Sequence, residues 1–585
     1  MSLIVPEGNK LRLSEKFSRL GTRMKDPEWR RYFKLIAVGK FLGLAILLTV
    51  MAGIAYWMRS TTSFADTPAT MPAMAATMPA TAPAAVDPYA SIKIVDHVNA
   101  LNTVWTLVAA FLVFAMQVGF TMLEAGFCRS RETVNVLVEC VFDTCLCGIL
   151  YYAFGYAFMF GAGNGIIGWH DPNDTGDMHN NWFFLQNVTS ATLYGATGVP
   201  VLAHWLFQFA FADCASTICS GTMIGRTAFA GDILYSVCVS GFIYPILGHW
   251  AWGPDGFLYT MGGQNASPNS YTHFLPDFAM NFHDFAGSTV VHSIGGWIAL
   301  AGGIVLGPRI GRRFKRDGGG PMLPHDLTIA ICGGLLLWFG WYGFNPGSTL
   351  SAMDYAGIGR VAANTTLAAC TGGMGAVFLM YFRTKKWDAA AITNGFLAGL
   401  VAITCPCYWV SPTGACALGL IAGVIVILGV DLLEFLRIDD PIGAWPVHGL
   451  CGIWGTLSLG LFASGQYQAA GSSPYGVPVV GWKAPEALTG LFYGGGFKVL
   501  IAQCIGSFII CAATFGLAMA VFGVLNLMGL LRISKEGELE GMDLHEHGIS
   551  AYPEYVISAL SAPSGMGRDT VHIPGPRREE MAGTK

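Results

Sequence analysis

Charged side chains are scarce in this 585-residue chain: Asp, Glu, Lys and Arg make up 12% of it, whereas 53% of the residues are hydrophobic. A soluble domain carries about 25% charged residues, and the mean hydropathy of this chain is +0.50. So little charge excludes an ordinary water-soluble fold over most of the length. It indicates a protein with many membrane-spanning segments.

The chain also lacks a charge excess and a hydrolase motif. Its formal net charge is −4, which gives no electrostatic basis for nucleic-acid binding. No His-Glu-x-x-His zinc motif occurs in the sequence, so a membrane metalloprotease is remote. The sequence therefore predicts a protein that is not an enzyme and has no metal or other cofactor.

Composition divides the chain into four parts. Residues 1–65 are basic and then apolar, in the order of a signal peptide or of an uncleaved membrane anchor. Residues 66–98 are rich in Ala, Pro, Thr and Met and are predicted to form a flexible linker outside the cytoplasm. Residues 99–532 contain the membrane domain, and residues 533–585 form a polar cytoplasmic tail.

Apolar runs near or above the roughly 20 residues of a helical span follow one another through the membrane domain. They predict an all-α polytopic membrane protein with eleven transmembrane helices. The runs fall at about 103–126, 139–161, 197–224, 233–252, 285–306, 326–345, 361–382, 389–406, 414–434, 443–464 and 497–530.

The loops between these runs alternate in charge. Loops after odd-numbered runs are basic, as in residues 309–316, whereas residues 170–187 after the second run contain no Lys or Arg. By the positive-inside rule, the odd loops and the C-terminus are cytoplasmic and the mature N-terminus is outside. We expect an integral protein of the plasma (inner) membrane.

An acid and an imidazole lie in the stretch HDFAGSTVVHSIGG, residues 283–296. Ionisable residues at membrane depth are costly and usually functional. Asp284 is placed to accept backbone N–H bonds from Gly287 and its neighbour, as a helix cap does. A direct role in holding a cation is the alternative.

His292 has a counterpart in the tenth run. His448, within WPVHGLCGIWG, shares with it the pattern Val-His-x-x-x-Gly. The two histidines lie on the fifth and tenth runs, so the sequence predicts a five-plus-five inverted repeat, a final helix, and a site at the repeat interface.

Aromatic side chains recur near the predicted outer helix ends. Phe207 and Phe211 are four residues apart, as are Phe344 and Ser348, and Trp252 ends the fourth run. Taken singly, each is typical of an interface belt or a core. A cation near such aromatic faces would gain cation–π energy.

Several motifs, in order, resemble the ammonium transporter family (Amt/Mep/Rh), with similarity from about residue 100 to 552. The resemblance implies eleven spans as an inverted repeat, a homotrimer, one pore per subunit, and a tail that couples subunits and can meet a PII-type regulatory protein. The motifs are MLEAGFCRSRETVN, DFAGSTVVH, GWYGFNPGS, IDDPIGAWPVHGLCGIWG and EGMDLHEHGISAY.

Position by position, the resemblance implies a recruitment site at the outer face. Trp252 and Ser348 match the external cation site. Trp250 lies close to Trp252 in the sequence and is the alternative residue for the position assigned to Trp252. Asp284 matches the acid that shapes that site through backbone contacts.

The resemblance also implies the residues of the pore. Phe211 and Phe344 match the two stacked aromatics that close the outer entrance, with Phe207 beside them. His292 and His448 match the paired pore histidines.

Two features depart from the family pattern, one within the third run and one just after it, and both concern the cytoplasmic half of the pore. Asp213 stands where a small neutral residue is expected, and could line a polar path or pair with another group. The usual Glu-Arg reads Gly225-Arg226.

The 15 cysteines lie mostly in apolar segments, as small buried hydrophobic residues do. Cys405, Cys407 and Cys416 are different because they flank a loop. There, a disulfide and a plain loop both fit the sequence.

These features predict a transporter that recruits NH4⁺ outside, deprotonates it and conducts NH3, with or without the proton, into the cytoplasm. Methylammonium is a candidate second substrate. An ammonium sensor on the same fold and an Rh-like gas or amine channel are the alternatives. A bis-His haem protein is a further rival, because paired intramembrane histidines can bind haem.

Overall fold

The computed structural model describes residues 93–174, 180–262, 275, 278–467 and 488–553. The N-terminal segment 1–65 and most of the predicted linker lie outside the described residues, as does the tail beyond residue 553.

Helices dominate the described part of the chain, and nine of those helices are long and apolar enough to cross a membrane. Each of the eleven predicted runs coincides with a helix, and the crossing of the membrane by the two remaining segments, α8 and α10, stays a prediction. The helices are α1 Ile94–Phe127, α2 Thr133–Phe160, α3 Val201–Ser220, α4 Phe229–Trp252, α5 Ser288–Leu306, α6 Leu327–Phe344, α7 Tyr355–Thr384, α8 Ala389–Thr404, α9 Pro412–Leu436, α10 Trp445–Leu450 continued by Cys451–Phe462, and α11 Lys498–Met528.

Shorter elements join these helices. Two antiparallel hairpins, β1 Ala162–Gly163 with β2 Gly168–His170 and β3 Leu193–Tyr194 with β4 Val199–Pro200, lie between α2 and α3. Two short helices, α12 Lys535–Glu540 and α13 Met542–His547, follow α11. Helix α1 begins at Ile94, inside the stretch assigned to the linker.

Glycine lets neighbouring helices approach at backbone distance. A Cβ added at Gly372 in α7 would lie 2.5 Å from the carbonyl oxygen of Gly395 in α8, and one at Gly399 would lie 2.2 Å from that of Ala368. Small residues at such crossings are typical of membrane helices, whose association depends on close packing. Part of the high glycine content is therefore explained by packing.

Asp284 starts α5 as a cap for several backbone groups. Its Oδ1 accepts N–H bonds from Gly287 and Ser288 at 2.9 and 3.0 Å, and its Oδ2 accepts from Thr289 and Val290 at 2.9 Å. Gly287 has φ of 114°, which favours glycine. The expected capping role of Asp284 is confirmed, and the cap extends to four N–H groups.

The same local structure recurs at the start of α10. Asp440 accepts N–H bonds from Gly443, Ala444 and Trp445 at 2.9 to 3.0 Å, and Gly443 has φ of 79°. Asp440 and Gly443 follow Asp284 and Gly287 by the same 156 positions that separate the two histidines. The internal match therefore extends from sequence to backbone.

Both repeated caps lead into a π-helical turn before the α-helix continues. These turns are Ser288–Ser293 and Trp445–Leu450, and each contains one of the two histidines. Short π-helical turns of this kind frequently occur at functional sites.

Candidate transport pore

A cavity, called the outer cavity because the charges of the loops predict that it faces outside, lies at the N-terminal half of α3. Helix α3 runs from this cavity toward the C-terminal segment, because Ile533 N donates to the carbonyl oxygen of Arg226 just beyond the helix. Trp252, Ser348, Phe207 and Phe211 all lie on the cavity wall. The structure thus brings these four predicted residues together, whereas Asp284, Phe344, His292 and His448 are buried behind the wall.

Trp252 is held by the segment that caps α5. Its indole Nε1 donates to the carbonyl oxygen of Asp284 at 2.7 Å. Trp250 points elsewhere, because its Nε1 donates to the carbonyl oxygen of Ile166 at 3.1 Å. The register with Trp252 at the cavity therefore follows from the structure, and Asp284 orients that ring through its backbone.

Ser348 faces the cavity from the short 3-10 turn Pro346–Thr349 that follows α6. Its Oγ donates to the carbonyl oxygen of Phe344 at 2.8 Å. Because the hydroxyl hydrogen is used there, the oxygen lone pairs are left to accept a hydrogen bond from a cation.

Two stacked rings close the inner end of the cavity. Phe211 and Phe344 have ring centroids 4.0 Å apart with planes tilted by 23°. Phe207 packs beside Phe211 at 4.7 Å. All three side chains are almost completely buried, so a solute passes only if these rings move.

The histidines continue the column of rings below this closure. His292 stacks on Phe344 at 5.3 Å and on Trp341 at 5.1 Å between ring centroids. His448 lies next, with Nδ1 3.3 Å from Nδ1 of His292, and Phe120 follows at 6.5 Å from His448. The two predicted pore histidines are therefore directly paired.

The contact between the Nδ1 atoms dictates opposite tautomers. One Nδ1 must carry the hydrogen and the other must accept it, which leaves one Nε2 with a hydrogen and the other without. The Nε2 of His292 is buried and has no hydrogen-bond partner among the described residues. Because the two rings bond directly, no space remains between them for an iron atom, which argues against bis-His haem.

Asp213 is completely buried in α3. Its carboxyl oxygens make no hydrogen bond with any described residue, and its carbonyl oxygen accepts the hydroxyl of Thr217 at 3.0 Å. No ion pair involves Asp213 among the described residues, and the polar side chain that interacts with its carboxyl group is that of Thr144.

The Gly225-Arg226 departure has a structural counterpart in Glu132. A Cβ added at Gly225, whose φ is 81°, would lie 2.6 Å from Oε1 of Glu132. The Glu132 side chain is buried there and forms an ion pair with Arg129. A carboxylate from the α1–α2 loop thus occupies the space beside the position where the family pattern has its own.

All fifteen cysteines are free thiols. The thiol of Cys405 donates to the carbonyl oxygen of His283 at 3.3 Å, and that of Cys407 to Thr404 at 3.5 Å. Of the two possibilities left open by the sequence, the structure has the plain loop.

Sequence reasoning missed two polar residues of the cavity. His204 and Gln208 lie on its wall between the aromatic rings. His204 lies three residues before Phe207 on α3, and Gln208 lies one residue after it. The i, i+3, i+4, i+7 spacing of His204, Phe207, Gln208 and Phe211 places all four on one helix face, and this pattern could have revealed them.

Comparison with known proteins agrees with this architecture. A family model described as Ammonium Transporter Family matches residues 104–552. The chain is 38% identical over 472 residues to ammonium transporter Amt2 of Archaeoglobus fulgidus, covering 80% of this chain and 91% of that protein. It is 38% identical over 451 residues to ammonium transporter 1 member 1 of Arabidopsis thaliana, covering 74% and 81%.

Solved structures of similar fold agree as well. A structure named Sensor Amt Protein has a TM-score of 0.64 and 33% identity, covering 77% of this chain and 99% of that one. Mep2 of Candida albicans has a TM-score of 0.63 and 25% identity, covering 79% and 92%. The chain therefore belongs to the ammonium transporter family.

Proposed function

We propose that this protein is an ammonium transporter that recruits NH4⁺ in the outer cavity and passes NH3 inward along His292 and His448. The observation that carries the proposal is the unbroken column of rings from Phe211 through Phe344 to the paired histidines. It begins at a cavity suited to a small cation and continues as an apolar path with polar nitrogen atoms.

The recruitment step combines two kinds of contact. The rings of Trp252 and Phe211, whose centroids are 6.3 Å apart and whose planes are inclined by 67°, favour a cation over an exposed ring face by about 0.5–2 kcal/mol when it is desolvated. The oxygen of Ser348 accepts one N–H. Together they select a small N–H cation before it meets the closed rings.

Deprotonation follows from the apolar path. A charged ion in a dry apolar tube costs far more than neutral NH3, and burial favours the neutral form of any amine. The proton therefore leaves near the closed rings, to water of the outer cavity when NH3 crosses alone or to the unprotonated imidazole nitrogen of the histidine pair when the proton follows. NH3 then exchanges hydrogen bonds with the two imidazoles. Because their tautomers are opposite and linked, the histidine pair is also suited to relay the proton.

The remaining features of the proposal concern placement and assembly. The basic loop Pro308–Arg316 and the C-terminal segment share one face, where Arg532 bonds the carbonyl oxygens of Leu306 and Pro308. The positive-inside rule makes this face cytoplasmic. We place the protein in the plasma (inner) membrane with its mature N-terminus outside, as a homotrimer whose cytoplasmic face can meet a PII-type protein. Methylammonium is the second substrate.

Reconstitution tests the proposal. We expect ammonium gradients to drive flux into liposomes containing the wild type, and His292→Ala to lower that flux at least about tenfold because one of the two paired imidazoles is lost. His325→Ala, a histidine bonded to Tyr552 at the cytoplasmic face, is the matched control. Undiminished flux in His292→Ala would overturn the scheme.

Current recorded from the same liposomes separates two forms of transport. A current that follows ammonium means that the proton accompanies NH3, whereas flux without current is the behaviour of an Rh-like gas channel.

A sensing role is the second candidate, because one of the similar structures is named Sensor Amt Protein. Saturable ammonium binding by the purified wild type without any flux in liposomes would favour sensing over transport.

A further inference from the structure

The outer cavity has a polar wall formed by α3, opposite in character to its aromatic rings. His204 and Gln208 lie one helical turn apart on this wall, and both side chains are almost completely buried. Neither has a role in the recruitment scheme above. A histidine and a glutamine kept at such a site require a polar purpose, because buried polar groups are costly unless bonded.

His204 is fixed from two sides. Its ring stacks on Tyr194 with centroids 3.6 Å apart and planes 8° from parallel. Its Nδ1 lies 2.9 Å from the hydroxyl of Tyr156, and its Nε2 lies 3.3 Å from Nε2 of Gln208. The imidazole therefore links a tyrosine hydroxyl to a glutamine amide.

The direction of these bonds follows from the amide. An amide nitrogen only donates, so Nε2 of His204 must accept, and the imidazole hydrogen is then on Nδ1, which donates to Tyr156. This arrangement turns Oε1 of Gln208 away from His204. That oxygen is buried and has no hydrogen-bond partner among the described residues, while the Gln208 side chain lines the cavity.

An unbonded buried carbonyl oxygen beside a cation cavity is suited to an N–H donor. Leaving such an acceptor unsatisfied is costly, whereas a hydrogen bond to a charged donor is stronger than one between neutral groups. The reversed amide would present an NH2 group in place of this oxygen, and an NH2 group cannot accept a hydrogen bond from a cation. The position of one hydrogen atom on His204 thus decides whether this wall can accept a hydrogen bond from the substrate.

We propose that Oε1 of Gln208 is a further ligand for the ammonium cation in the outer cavity, and that His204 is a positioning residue that holds the amide in its acceptor orientation. The proposal rests on the proposed function and deepens it, because it adds an N–H acceptor on α3 to the Ser348 oxygen. It also defines the ligand class as cations that retain an N–H, which includes methylammonium and excludes tetramethylammonium.

Two measurements on the full chain test the ligand role. Ammonium binding is followed by the intrinsic tryptophan fluorescence of the purified protein, with sodium chloride at equal ionic strength as the blank, and flux is measured in liposomes. We expect Gln208→Leu to weaken binding and raise the half-saturating ammonium concentration about tenfold, with little change in maximal flux. Unchanged binding in Gln208→Leu overturns the ligand role.

The positioning role is tested by rescue. His204→Phe keeps an aromatic ring for Tyr194 but frees the amide, so we expect weaker binding than in the wild type. Gln208→Glu presents a carboxylate oxygen in either orientation and needs no partner to direct it. A buried carboxyl ionises at higher pH than an exposed one, so His204→Phe with Gln208→Glu is titrated at several pH values between about pH 7 and about pH 9, and once ionised it should bind at least as tightly as the wild type. Binding by the double variant as weak as that of His204→Phe overturns the positioning role.

Phe209→Leu is the matched control, because Phe209 is the next residue on α3 after Gln208 but stacks on Trp205 outside the cavity lining, and we expect wild-type affinity. An altered affinity in this variant would assign the effects to packing and overturn the proposal. If the wild type binds ammonium but shows no flux, the transport function fails while the fluorescence titrations still decide the role of Gln208.

Discussion

At the residue scale, the polar side chains of the pore are directed by backbone contacts. The two carboxyl oxygens of Asp284 accept hydrogen bonds from four N–H groups of α5, and its carbonyl oxygen accepts one from the indole of Trp252. Asp284 therefore shapes the cavity wall through the backbone, and in the proposed scheme it is not a ligand of the cation. This separates a structural charge at the helix start from the neutral imidazoles below it.

Asp284→Asn tests this arrangement. The amide keeps only one acceptor oxygen, so two of the four N–H groups lose their partner, at a cost of about 1–3 kcal/mol each. We expect a lower thermal midpoint of unfolding in detergent and weaker ammonium binding, because the carbonyl that orients Trp252 loses its support.

The control for Asp284→Asn is Asp326→Asn at the start of α6. There, both capped N–H groups, of Thr328 and Ile329, bond to Oδ1 alone, so an asparagine reproduces the cap. Equal loss of stability in the two variants would contradict the four-bond account.

At the scale of elements, a buried ion-pair network joins three loops on the side that the positive-inside rule predicts to be cytoplasmic. Asp439, between α9 and α10, accepts two hydrogen bonds from the Arg309 guanidinium at 2.8 and 3.0 Å. Arg226, after α3, donates to its carbonyl oxygen at 2.7 Å. These contacts connect the two halves of the repeat beside an apolar cluster that also joins them, formed by Leu300, Leu433 and Trp445.

The pKa of Asp439 is well below its usual range. Burial alone would raise it, but the charges of Arg226 and Arg309 and the hydrogen bonds from Arg309 outweigh burial. The carboxyl is thus more acidic when folded than the value of about 3.9 in an unfolded chain. Its stabilisation is fully present above that value and is lost as the pH falls toward the folded pKa.

Asp439→Asn should therefore change both stability and its pH dependence. Leaving Arg226 and Arg309 buried without their counter-charge costs about 3–5 kcal/mol. We expect a lower thermal midpoint at pH 7 and a shallower loss of stability on acidification than in the wild type.

A surface carboxylate provides the control for Asp439→Asn. Asp431 pairs with Arg383 and Lys315 while remaining substantially exposed, so Asp431→Asn should have little effect. If stability fell equally steeply on acidification in the wild type and in Asp439→Asn, Asp439 would not be the source of that loss.

At the scale of the whole molecule, the C-terminal segment is bound to loops that are distant in the chain. Oδ1 of Asp543 accepts the N–H of Asn135 at 3.0 Å, and the hydroxyl of Tyr552 lies 2.7 Å from Nε2 of His325. The segment therefore contacts the start of α2 and the α5–α6 connection.

Asp543→Ala should release α13. The backbone N–H of Asn135 and the start of α2 lose their acceptor, so we expect faster hydrogen–deuterium exchange in residues 542–552 and unchanged exchange in α5. Glu546→Ala, which alters an exposed side chain of the same helix, is the control. Exchange in residues 542–552 that stays at the wild-type rate in Asp543→Ala would show that the remaining contacts suffice.

The limits of most helices could be predicted because a span in lipid must be both apolar and helical. The start of α1 was placed too late, since His97, Asn99 and Asn102 interrupt the apolar run while the backbone is already helical. Composition alone does not reveal that a helix continues past polar residues whose hydrogen-bond partners lie elsewhere in the chain. Here Asn102 donates to the carbonyl oxygen of Thr197, a contact that only the folded chain supplies.

The candidate site could be predicted in part. Phe211, Phe344 and the two histidines stood out as aromatic and ionisable groups in apolar runs. Gln208 and His204 did not, because the role of a polar residue on a helix depends on the side chains that face it, and the sequence does not give these neighbours. The π-helical turns were likewise invisible, since no residue pattern distinguishes them from an α-helix.

The sequence by itself determined the class of this protein, the number of its apolar runs, and the pair of equivalent histidines, because hydropathy and internal repetition are properties of the chain alone. Only the tertiary structure decided that the two Nδ1 atoms meet at 3.3 Å, that Trp252 rather than Trp250 faces the cavity, and that Oε1 of Gln208 is left without a partner. These outcomes depend on side-chain directions at helix crossings, which are set by the packing of segments far apart in sequence.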